Sequence, residues 1–332
     1  HTIGRRQRQM CIRDRMVIYV EENIREHGHA RSIIEKFPRA QIIEISNYKN
    51  IFDASHGYAK KQSSMIIARA PNNPVLPAPH GYGFEWAGYF FKTSLGCIYD
   101  CEYCYLKGMF KNDIPVYFVD YEFIQSQISK AIETERKDGN SDTIWFYSSD
   151  YSDIQGMDVF SGFNESFIPF FEQFENVMME SRTKSSSIQS LLHVTSNTLH
   201  VGWEGTCNVL PATCYHAEIA YSLNPQPIID HYEKWTAPLK KRLENINTLL
   251  EAGWKVGIRI MPLMPIQNYE QIYIEFIETL KSSVDIRRLH SVFIGWLMFT
   301  KKDYRTMRKK WLLADMIDKV DDEGQDFVRL NQ

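Results

Sequence analysis

Apolar and polar positions follow two different periods along this chain, and from residue 89 onward the periods alternate regularly. Short apolar runs, typical of buried strands, are separated by longer segments with the three- to four-residue spacing of amphipathic helices. The predicted strands are Tyr89–Ser94, Thr143–Tyr147, Val177–Thr183, Ala217–Ser222, Lys255–Met261 and Val292–Leu297. The predicted helices are Tyr121–Lys137, Glu165–Phe174, Ser185–Leu192, Pro238–Ala252 and Tyr269–Lys281.

The order of these elements predicts how they pair. Six strands that alternate with helices favour parallel pairing, which indicates an α/β protein with a partial (β/α)6 barrel over residues 85–300. In such barrels the chemistry lies on loops at the carboxyl ends of the strands. Four candidate segments lie there: the loop after Ser94, the polar loop Ser148–Asp153, Lys184 and Ser222–Asn224.

A small α/β lead-in is predicted before the barrel, over residues 16–84. Its predicted strands are Met16–Val20, Ala40–Ser46 and Met65–Arg69, and its predicted helix is Ala30–Phe37. Roughly seventy residues suit an appended unit of this kind. A loop rich in proline and glycine after residue 70 marks its end.

The first fifteen residues differ from everything that follows them. They carry five arginines and one acidic residue, Asp14, and show no apolar period. We expect a non-native tail over residues 1–15, with Met16 as the true start. The alternative is a basic arm that binds nucleic acid.

Charge limits the partners that the chain can attract. The net charge is −3, and without residues 1–15 it becomes −7, from 33 basic and 40 acidic residues. Because an acidic protein is not drawn to DNA by its overall field, a nucleic-acid site requires a local basic patch. One dense basic and aromatic segment is present, and a solvated helix face is its competing interpretation. Its residues are Lys301, Lys302, Tyr304, Arg305, Arg308, Lys309, Lys310 and Trp311.

The most specific signal is a run of three cysteines, Cys97, Cys101 and Cys104, with the spacing Cys-x3-Cys-x2-Cys. Three thiolates can ligate three irons of a four-iron cubane and leave the fourth iron open for chemistry. Five cysteines lie outside the tail, and an odd number does not resemble a secreted disulfide framework. No apolar stretch is long enough to span a bilayer. We therefore expect a cytoplasmic metal-binding protein with no membrane partner.

A zinc site is the alternative interpretation of the cysteine loop. Zinc needs four tetrahedral ligands, and the fourth ligand could come from Cys207, Cys214 or His80. Zinc loops usually contain two Cys-x2-Cys pairs, so the x3 step argues against this interpretation. A non-catalytic zinc-binding module nevertheless stays open as a different class of function.

The cysteine motif resembles that of the radical S-adenosylmethionine (SAM) superfamily, and within it the chain is most similar to the spore photoproduct lyases. The resemblance runs from about Met16 to the end of the chain. Its further motifs, in order, are Ser152-Asp153-Ile154-x-Gly156-x-Asp158, Thr183-Lys184, Tyr221-Ser222-Leu223-Asn224 and Pro238-Leu239-x-Lys241-Arg242. The order and spacing of these motifs match the family better than any single motif does.

The resemblance implies a radical-SAM-type barrel that holds a [4Fe-4S] cluster and S-adenosylmethionine. Cys97, Cys101 and Cys104 would ligate the cluster, and the substrate would be a thymine lesion of DNA, repaired by carbon–carbon cleavage. An electron donor such as flavodoxin or ferredoxin would reduce the cluster, and S-adenosylmethionine would yield a 5′-deoxyadenosyl radical. The positions that match the family's S-adenosylmethionine site are Ser152, Asp153, Lys184 and Ser222.

Tyrosines are the remaining candidates for catalysis. In the family, tyrosines at the positions of Tyr103 and Tyr105 lie near the radical and relay hydrogen. The family's hydrogen-donating cysteine, two residues before the Ser-Asp pair, is replaced here by Asp150. An ionised carboxylate has no hydrogen atom to give, so Tyr151, Tyr103 or a cysteine of the Cys207/Cys214 pair would have to substitute. The replacement also favours an alternative: the same radical chemistry on a different substrate.

The end of the chain is a second departure from the family. Family members carry a basic, aromatic β-hairpin near the C-terminus that contacts DNA, and this sequence ends at Gln332, soon after the Lys301–Lys310 segment where that region would begin. We therefore expect residues 301–332 to be a C-terminal helical segment that is cut short.

Overall fold

A computed structural model of the chain describes residues 16–53, 64–79, 88–198, 216–264, 266–309, 320–321 and 327–330. The helices within these ranges are α1 Gly28–Glu35, α2 Lys49–Phe52, α3 Leu106–Met109, α4 Tyr121–Lys137, α5 Ile154–Ser161, α6 Phe163–Phe171, α7 Gln189–Thr198, α8 Gln226–Tyr232, α9 Leu239–Glu251, α10 Tyr269–Ser283 and α11 Lys301–Lys309. The strands are β1 Val17–Glu21, β2 Gln41–Ile45, β3 Ser64–Ala68, β4 Val75–Pro77, β5 Gly88–Phe91, β6 Ser94–Leu95, β7 Asp100–Cys101, β8 Val116–Phe118, β9 Ile144–Tyr147, β10 Val177–Thr183, β11 Ala217–Ser222, β12 Glu233–Lys234, β13 Lys255–Leu263, β14 Ser291–Trp296, β15 Met298–Thr300, β16 Val320–Asp321 and β17 Phe327–Leu330.

The largest sheet confirms the predicted partial barrel. Its strand order is β14-β13-β11-β10-β9-β5-β4, and the six strands from β5 to β14 pair in parallel and in chain order. Strand β4, at one edge, is antiparallel to its neighbour β5. No pairing among the described strands joins β14 to β5 or β4, so within the described ranges the sheet is open on one side, as the alternating pattern predicted.

The two faces of this sheet carry different side chains, because successive residues of a strand point to opposite faces. On β9, Ile144 and Phe146 belong to the main hydrophobic core, whereas Trp145 and Tyr147 form a second, smaller cluster with Met178. The core face is covered by helices. Phenylalanines of α6 stack on those of the sheet, with ring centroids 4.8–6.5 Å apart in the cluster formed by Phe91, Phe146, Phe163, Phe167 and Phe171.

A second sheet, of order β2-β1-β3-β8-β6, contains the predicted lead-in strands. Two of its strands, β6 and β8, come from the chain beyond residue 85, which the sequence pattern did not predict. The predicted strand Tyr89–Ser94 is wrong as one element: Gly88–Phe91 lies in the large sheet, whereas Ser94–Leu95 pairs antiparallel with β8. The division of the chain at residues 84 and 85 stays a prediction.

The prediction of a helical segment over residues 301–332 holds for α11 and is wrong further on. Strands β16 and β17 follow, and β17 pairs antiparallel with β15 and with β16. Helix α11 buries Asp303 and Met307 and exposes Arg305 and Arg308, so its basic side chains form a solvated face. Lys310 and Trp311 lie outside the described residues, as do residues 1–15. Within the described ranges no helix is both long and apolar enough to cross a membrane.

Candidate active site

The cysteine loop begins where the chain leaves the small sheet. Gly96 has a φ of +78°, a left-handed conformation that glycine adopts without a steric cost, and it turns the chain into Cys97. The amide of Tyr99 then donates to Cys97 Sγ at 3.4 Å. The amide of Cys104 donates to the carbonyl oxygen of Cys101 at 3.2 Å. Backbone hydrogen bonds therefore fix the loop that carries all three thiols.

The three thiols, Cys101 buried and Cys97 and Cys104 partly buried, lie close enough to interact electrostatically. Burial raises the pKa of all three thiols, and that of Cys101 reaches about 12. The charges of the other thiolates raise the pKa of Cys97 and of Cys101 further. The ammonium of Lys184 acts in the opposite direction on Cys101 and Cys104. Thiols this hard to ionise become thiolates when a metal replaces the proton. None of the three forms a disulfide. The donor set therefore fits a cluster that takes three cysteine ligands.

A site for a single metal ion is a separate question. Within the described ranges, no group of three or more His, Cys, Asp or Glu side chains is arranged to enclose one metal ion. In a cubane each cysteine ligates a different iron, so its three sulfurs spread more widely than the ligands of a single ion do. The predicted fourth zinc ligands, Cys207, Cys214 and His80, lie outside the described residues.

Asp153 joins the ends of two neighbouring strands. It caps α5, its Oδ1 accepting from the Gly156 amide at 2.9 Å and from Thr183 Oγ1 at 2.9 Å. Its Oδ2 accepts from the Lys184 amide at 2.7 Å. Burial raises the pKa of Asp153, and these hydrogen bonds counteract only part of that rise. Two residues predicted for the S-adenosylmethionine site are thus in contact, through the Asp153 carboxylate and the Lys184 backbone amide.

The cysteine loop packs directly on α5, and Gly156 makes this possible. A Cβ at this position would lie 2.9 Å from Tyr99 Oη, closer than real Cβ atoms approach other atoms, and 3.0 Å from Ile98 Cδ1, so these side chains would have to shift. The carboxylate of Asp153 is near enough to raise the pKa of Cys97. The Ser-Asp-Ile-x-Gly motif therefore has a packing role beside its predicted binding role.

Two serines complete the predicted S-adenosylmethionine site. Ser152 is buried after β9, and its Oγ lies 3.8 Å from Met157 Sδ. Ser222, the last residue of β11, is also buried, and its carbonyl oxygen accepts from Arg242 Nη1 at 2.8 Å. Together with Asp153 they lie at carboxyl ends of barrel strands, as predicted. Binding of S-adenosylmethionine by these residues stays a prediction.

A buried ionic network next to the cysteine loop was not predicted from the sequence. Arg242 Nη2 lies 2.6 Å from Glu233 Oε2, and both side chains have no exposed surface. Arg242 also donates to the Ala237 carbonyl oxygen at 2.8 Å. Although burial raises the pKa of Glu233, Arg242 and Lys184 hold it below its ordinary value. Glu233 is therefore a buried carboxylate that keeps its charge.

This network holds Tyr103. The Tyr103 hydroxyl donates to Glu233 Oε1, which also accepts from Asn224 Nδ2 at 3.0 Å. The ammonium of Lys184 lies 5.7 Å from the centroid of the Tyr103 ring. Burial lowers the pKa of Lys184, and the charges of Cys101 and Glu233 more than reverse this effect. Lys184 thus stays cationic between the thiols and Glu233.

The other two candidate tyrosines lie beside residue 150. The Tyr105 hydroxyl donates to the Asp150 carbonyl oxygen, and the Tyr105 side chain is exposed. Tyr151 is half-buried, and its ring meets Phe90 edge to face with centroids 6.3 Å apart. The structure therefore brings Tyr105 and Tyr151 to the position where the family has its cysteine, while Tyr103 points into the Glu233 network.

The inner face of the large sheet carries a second buried network. Arg259 Nη2 lies 2.5 Å from Glu180 Oε2 and 3.0 Å from Glu218 Oε2. His290 Nδ1 lies 3.2 Å from Glu218 Oε1, and the Ser291 hydroxyl donates to the same oxygen. These charged residues lie within strands whose sequence pattern predicts burial on both faces. The pattern therefore did not predict a buried ionic network.

A sheet of six parallel strands in chain order, whose first strand leads toward a loop of three cysteines, defines the radical SAM class of proteins. The sequence model of spore photoproduct lyase matches residues 84–317. The chain therefore belongs to the spore photoproduct lyase family. Members of this family are radical SAM enzymes that use a [4Fe-4S] cluster and S-adenosylmethionine.

The chain is also similar to individual spore photoproduct lyases in sequence and in structure. The chain is 24% identical over 320 residues to the spore photoproduct lyase of Clostridium acetobutylicum, covering 94% of this chain and 86% of the relative. It is 25% identical over 306 residues to that of Bacillus subtilis, covering 89% and 82%. Among solved structures, a spore photoproduct lyase complexed with dinucleoside spore photoproduct matches with a TM-score of 0.75 and 19% identity, over 95% of this chain and 90% of that one. A variant with bound AdoMet and the same dinucleoside matches with a TM-score of 0.74 and 19% identity, over 95% and 89%.

Proposed function

We propose that this protein is a radical SAM carbon–carbon lyase that repairs a thymine lesion of DNA. The observation that carries the proposal is the pocket of Cys97, Cys101 and Cys104, whose thiols interact electrostatically with one another in a member of the spore photoproduct lyase family. The relatives are lyases of this lesion, and three of the similar structures contain the dinucleoside lesion itself.

The residues around the pocket suit the two cofactors. A [4Fe-4S] cluster with S-adenosylmethionine supplies one-electron cleavage of a carbon–sulfur bond, which yields a carbon radical. Lys184, held cationic beside Cys101 and Cys104, offers an ammonium to the carboxylate of the methionyl group. Asp153 fixes the Lys184 backbone, and Ser152 and Ser222 lie at the ends of β9 and β11, on either side of β10. The buried Tyr103 ring keeps water from this side of the pocket.

The proposed reaction requires two partners, an electron donor and DNA. An electron donor such as flavodoxin or ferredoxin is needed to reduce the cluster, and DNA is the carrier of the lesion. The exposed basic face of α11, which includes Arg305 and Arg308, can contact phosphates. We place this activity in the cytoplasm.

A second candidate function is the same radical chemistry on a different substrate. The observation that favours it is Asp150, which stands where the family has its hydrogen-donating cysteine. With no thiol at this position, the last hydrogen transfer of the repair reaction depends on Tyr105, whose hydroxyl donates to the Asp150 carbonyl oxygen, or on Tyr151, which directly follows residue 150.

The test is repair itself. Anaerobically reconstituted protein is incubated with S-adenosylmethionine, a reductant and an oligonucleotide that carries the spore photoproduct, and thymine recovery is measured together with 5′-deoxyadenosine. Repaired thymines in proportion to 5′-deoxyadenosine are the expected result. Formation of 5′-deoxyadenosine with no thymine recovered would exclude repair and favour the different substrate.

A further inference from the structure

Lys92 lies at the mouth of the half barrel, directly after β5. Lys92 lies two residues after Phe90. Because side chains alternate between the two faces of a sheet, Lys92 is on the same inner face as Phe90. Its Nζ lies 4.8 Å from the centroid of the Tyr151 ring. The Phe90 ring in turn lies 6.3 Å from Tyr151 at an interplanar angle of 90°. Lys92 is therefore held against a small aromatic wall.

The ammonium of Lys92 is a cation without a carboxylate. Burial lowers the pKa of Lys92, and no acidic side chain of the described residues forms an ion pair with it. Two fully buried cations, Arg242 and Arg259, are each paired with a glutamate. Partial desolvation of an unpaired cation costs free energy. An anionic ligand that binds beside Lys92 would offset this cost.

The position of Lys92 relates this anion to the substrate. Tyr151, the ring beneath the ammonium, directly precedes Ser152 and Asp153 of the predicted S-adenosylmethionine site. It directly follows Asp150, whose carbonyl oxygen accepts from the Tyr105 hydroxyl. The ammonium thus lies one aromatic ring away from the segment where the reaction is expected.

We infer that Lys92 binds a backbone phosphodiester of the nucleic-acid substrate, with Tyr151 and Phe90 as the apolar wall beside the adjoining base. This inference rests on the proposed function. A lysine ammonium binds phosphate as a compact point charge, and aromatic rings beside a cation are the usual surface for nucleotides in single-stranded or extruded form. The site therefore recognises the link between two nucleotides rather than the bases.

The experiment compares two forms of the dithymidine lesion, one with the bridging phosphodiester and one a dinucleoside without it. Equilibrium dissociation constants are measured for the wild type, for Lys92→Gln, and for Lys92→Arg, which keeps the charge. Lys130→Gln, an exposed lysine on the outer helix α4, is the matched control for net charge. The wild type is expected to bind the phosphodiester form more tightly than the dinucleoside.

Lys92→Gln is expected to weaken binding of the phosphodiester form about tenfold, with little change for the dinucleoside. Lys92→Arg and Lys130→Gln are expected to stay near wild type. Equal weakening of both forms by Lys92→Gln, no weakening of either, or a wild type that does not distinguish the two forms would overturn the inference. Recovery of intact thymines by the wild type reports separately on the proposed function, so the two failures are distinguishable.

Discussion

The Tyr103 hydroxyl donates its hydrogen bond to the buried carboxylate of Glu233, and Glu233 pairs through its backbone with Cys101 in a two-stranded antiparallel sheet. One residue thus holds both the backbone of the cysteine loop and the tyrosine beside Cys104. Because the Tyr103 hydroxyl points into this network, we expect Tyr103 to position the loop and Tyr105 to face the substrate.

Loss of the Arg242 charge is expected to destabilise the fold strongly. In Arg242→Met the carboxylate of Glu233 stays buried without its cation, and breaking a buried ion pair in this way costs about 3–5 kcal/mol. The free energy of unfolding from urea titration measures the effect. Lys241→Met, at the exposed neighbouring position, is the control and should change stability by less than about 0.5 kcal/mol. A similar small change in Arg242→Met would contradict the role given to the network.

Replacing Asp153 is expected to reduce the stability of the fold, whereas replacing Ser152 is expected to affect cofactor binding. Asp153→Asn leaves one acceptor oxygen for three donors, so it should lower the free energy of unfolding by about 1–3 kcal/mol. Ser152→Ala loses only a long contact to Met157 and should leave stability nearly unchanged. If Ser152 binds S-adenosylmethionine, its alanine variant should weaken cofactor binding in titration calorimetry. Unchanged cofactor affinity would remove Ser152 from the predicted site.

Acid is expected to weaken the network on the inner face of the sheet. Although burial raises the pKa of Glu218, hydrogen bonding by His290 and the charge of Arg259 hold it below 4.5, the ordinary value. Because its pKa is lower in the folded state, the ionised Glu218 stabilises the fold above pH 4.5. This stabilisation is lost as the pH falls through the folded-state pKa.

Glu218→Gln is therefore expected to be less stable than the wild type at neutral pH. The difference should shrink as the pH falls below 4.5, because only the wild type has a carboxylate at residue 218 that then loses its charge. Urea titrations of both proteins at a series of pH values measure it. A stability difference that is independent of pH would show that the Glu218 charge contributes nothing.

A thiol at residue 150 is expected to improve repair if thymine lesions are the substrate. In Asp150→Cys an S–H group replaces a carboxylate next to Tyr105 and Tyr151, and it can donate a hydrogen atom to the product radical. The ratio of thymine recovered to 5′-deoxyadenosine formed should rise above that of the wild type. Asp150→Ser, which has no comparable hydrogen donor, is the control, and an equal rise in both variants would argue against a thiol-specific step.

The sequence predicted those features that depend on local spacing. The cysteine motif and the alternation of apolar runs with helical segments indicated the order of the barrel strands, and strand ends carry Asp153, Lys184 and Ser222 as expected. The pattern failed where an element is too short to show a period. Strand Val116–Phe118 has three residues, and nothing in its composition reveals that it extends the small sheet rather than the large one.

The buried charges illustrate a second limit. Glu233 lies in a two-residue strand, and its partner Arg242 is nine positions away on the first turns of α9, where a charged residue reads as solvent-exposed. The only available signal was the Pro-Leu-x-Lys-Arg motif, which gave no role to Arg242. Partnership between distant charges depends on tertiary packing, so a periodicity pattern does not contain it.

The central claim is that Cys97, Cys101 and Cys104 together hold one [4Fe-4S] cluster. Its most direct test is iron and sulfide analysis, with the absorbance spectrum, of anaerobically reconstituted wild type beside a variant in which all three cysteines are alanine. We predict about four irons and four sulfides per wild-type chain and neither in the variant. A wild type that binds zinc but no iron, or a variant that keeps its iron, would contradict the claim.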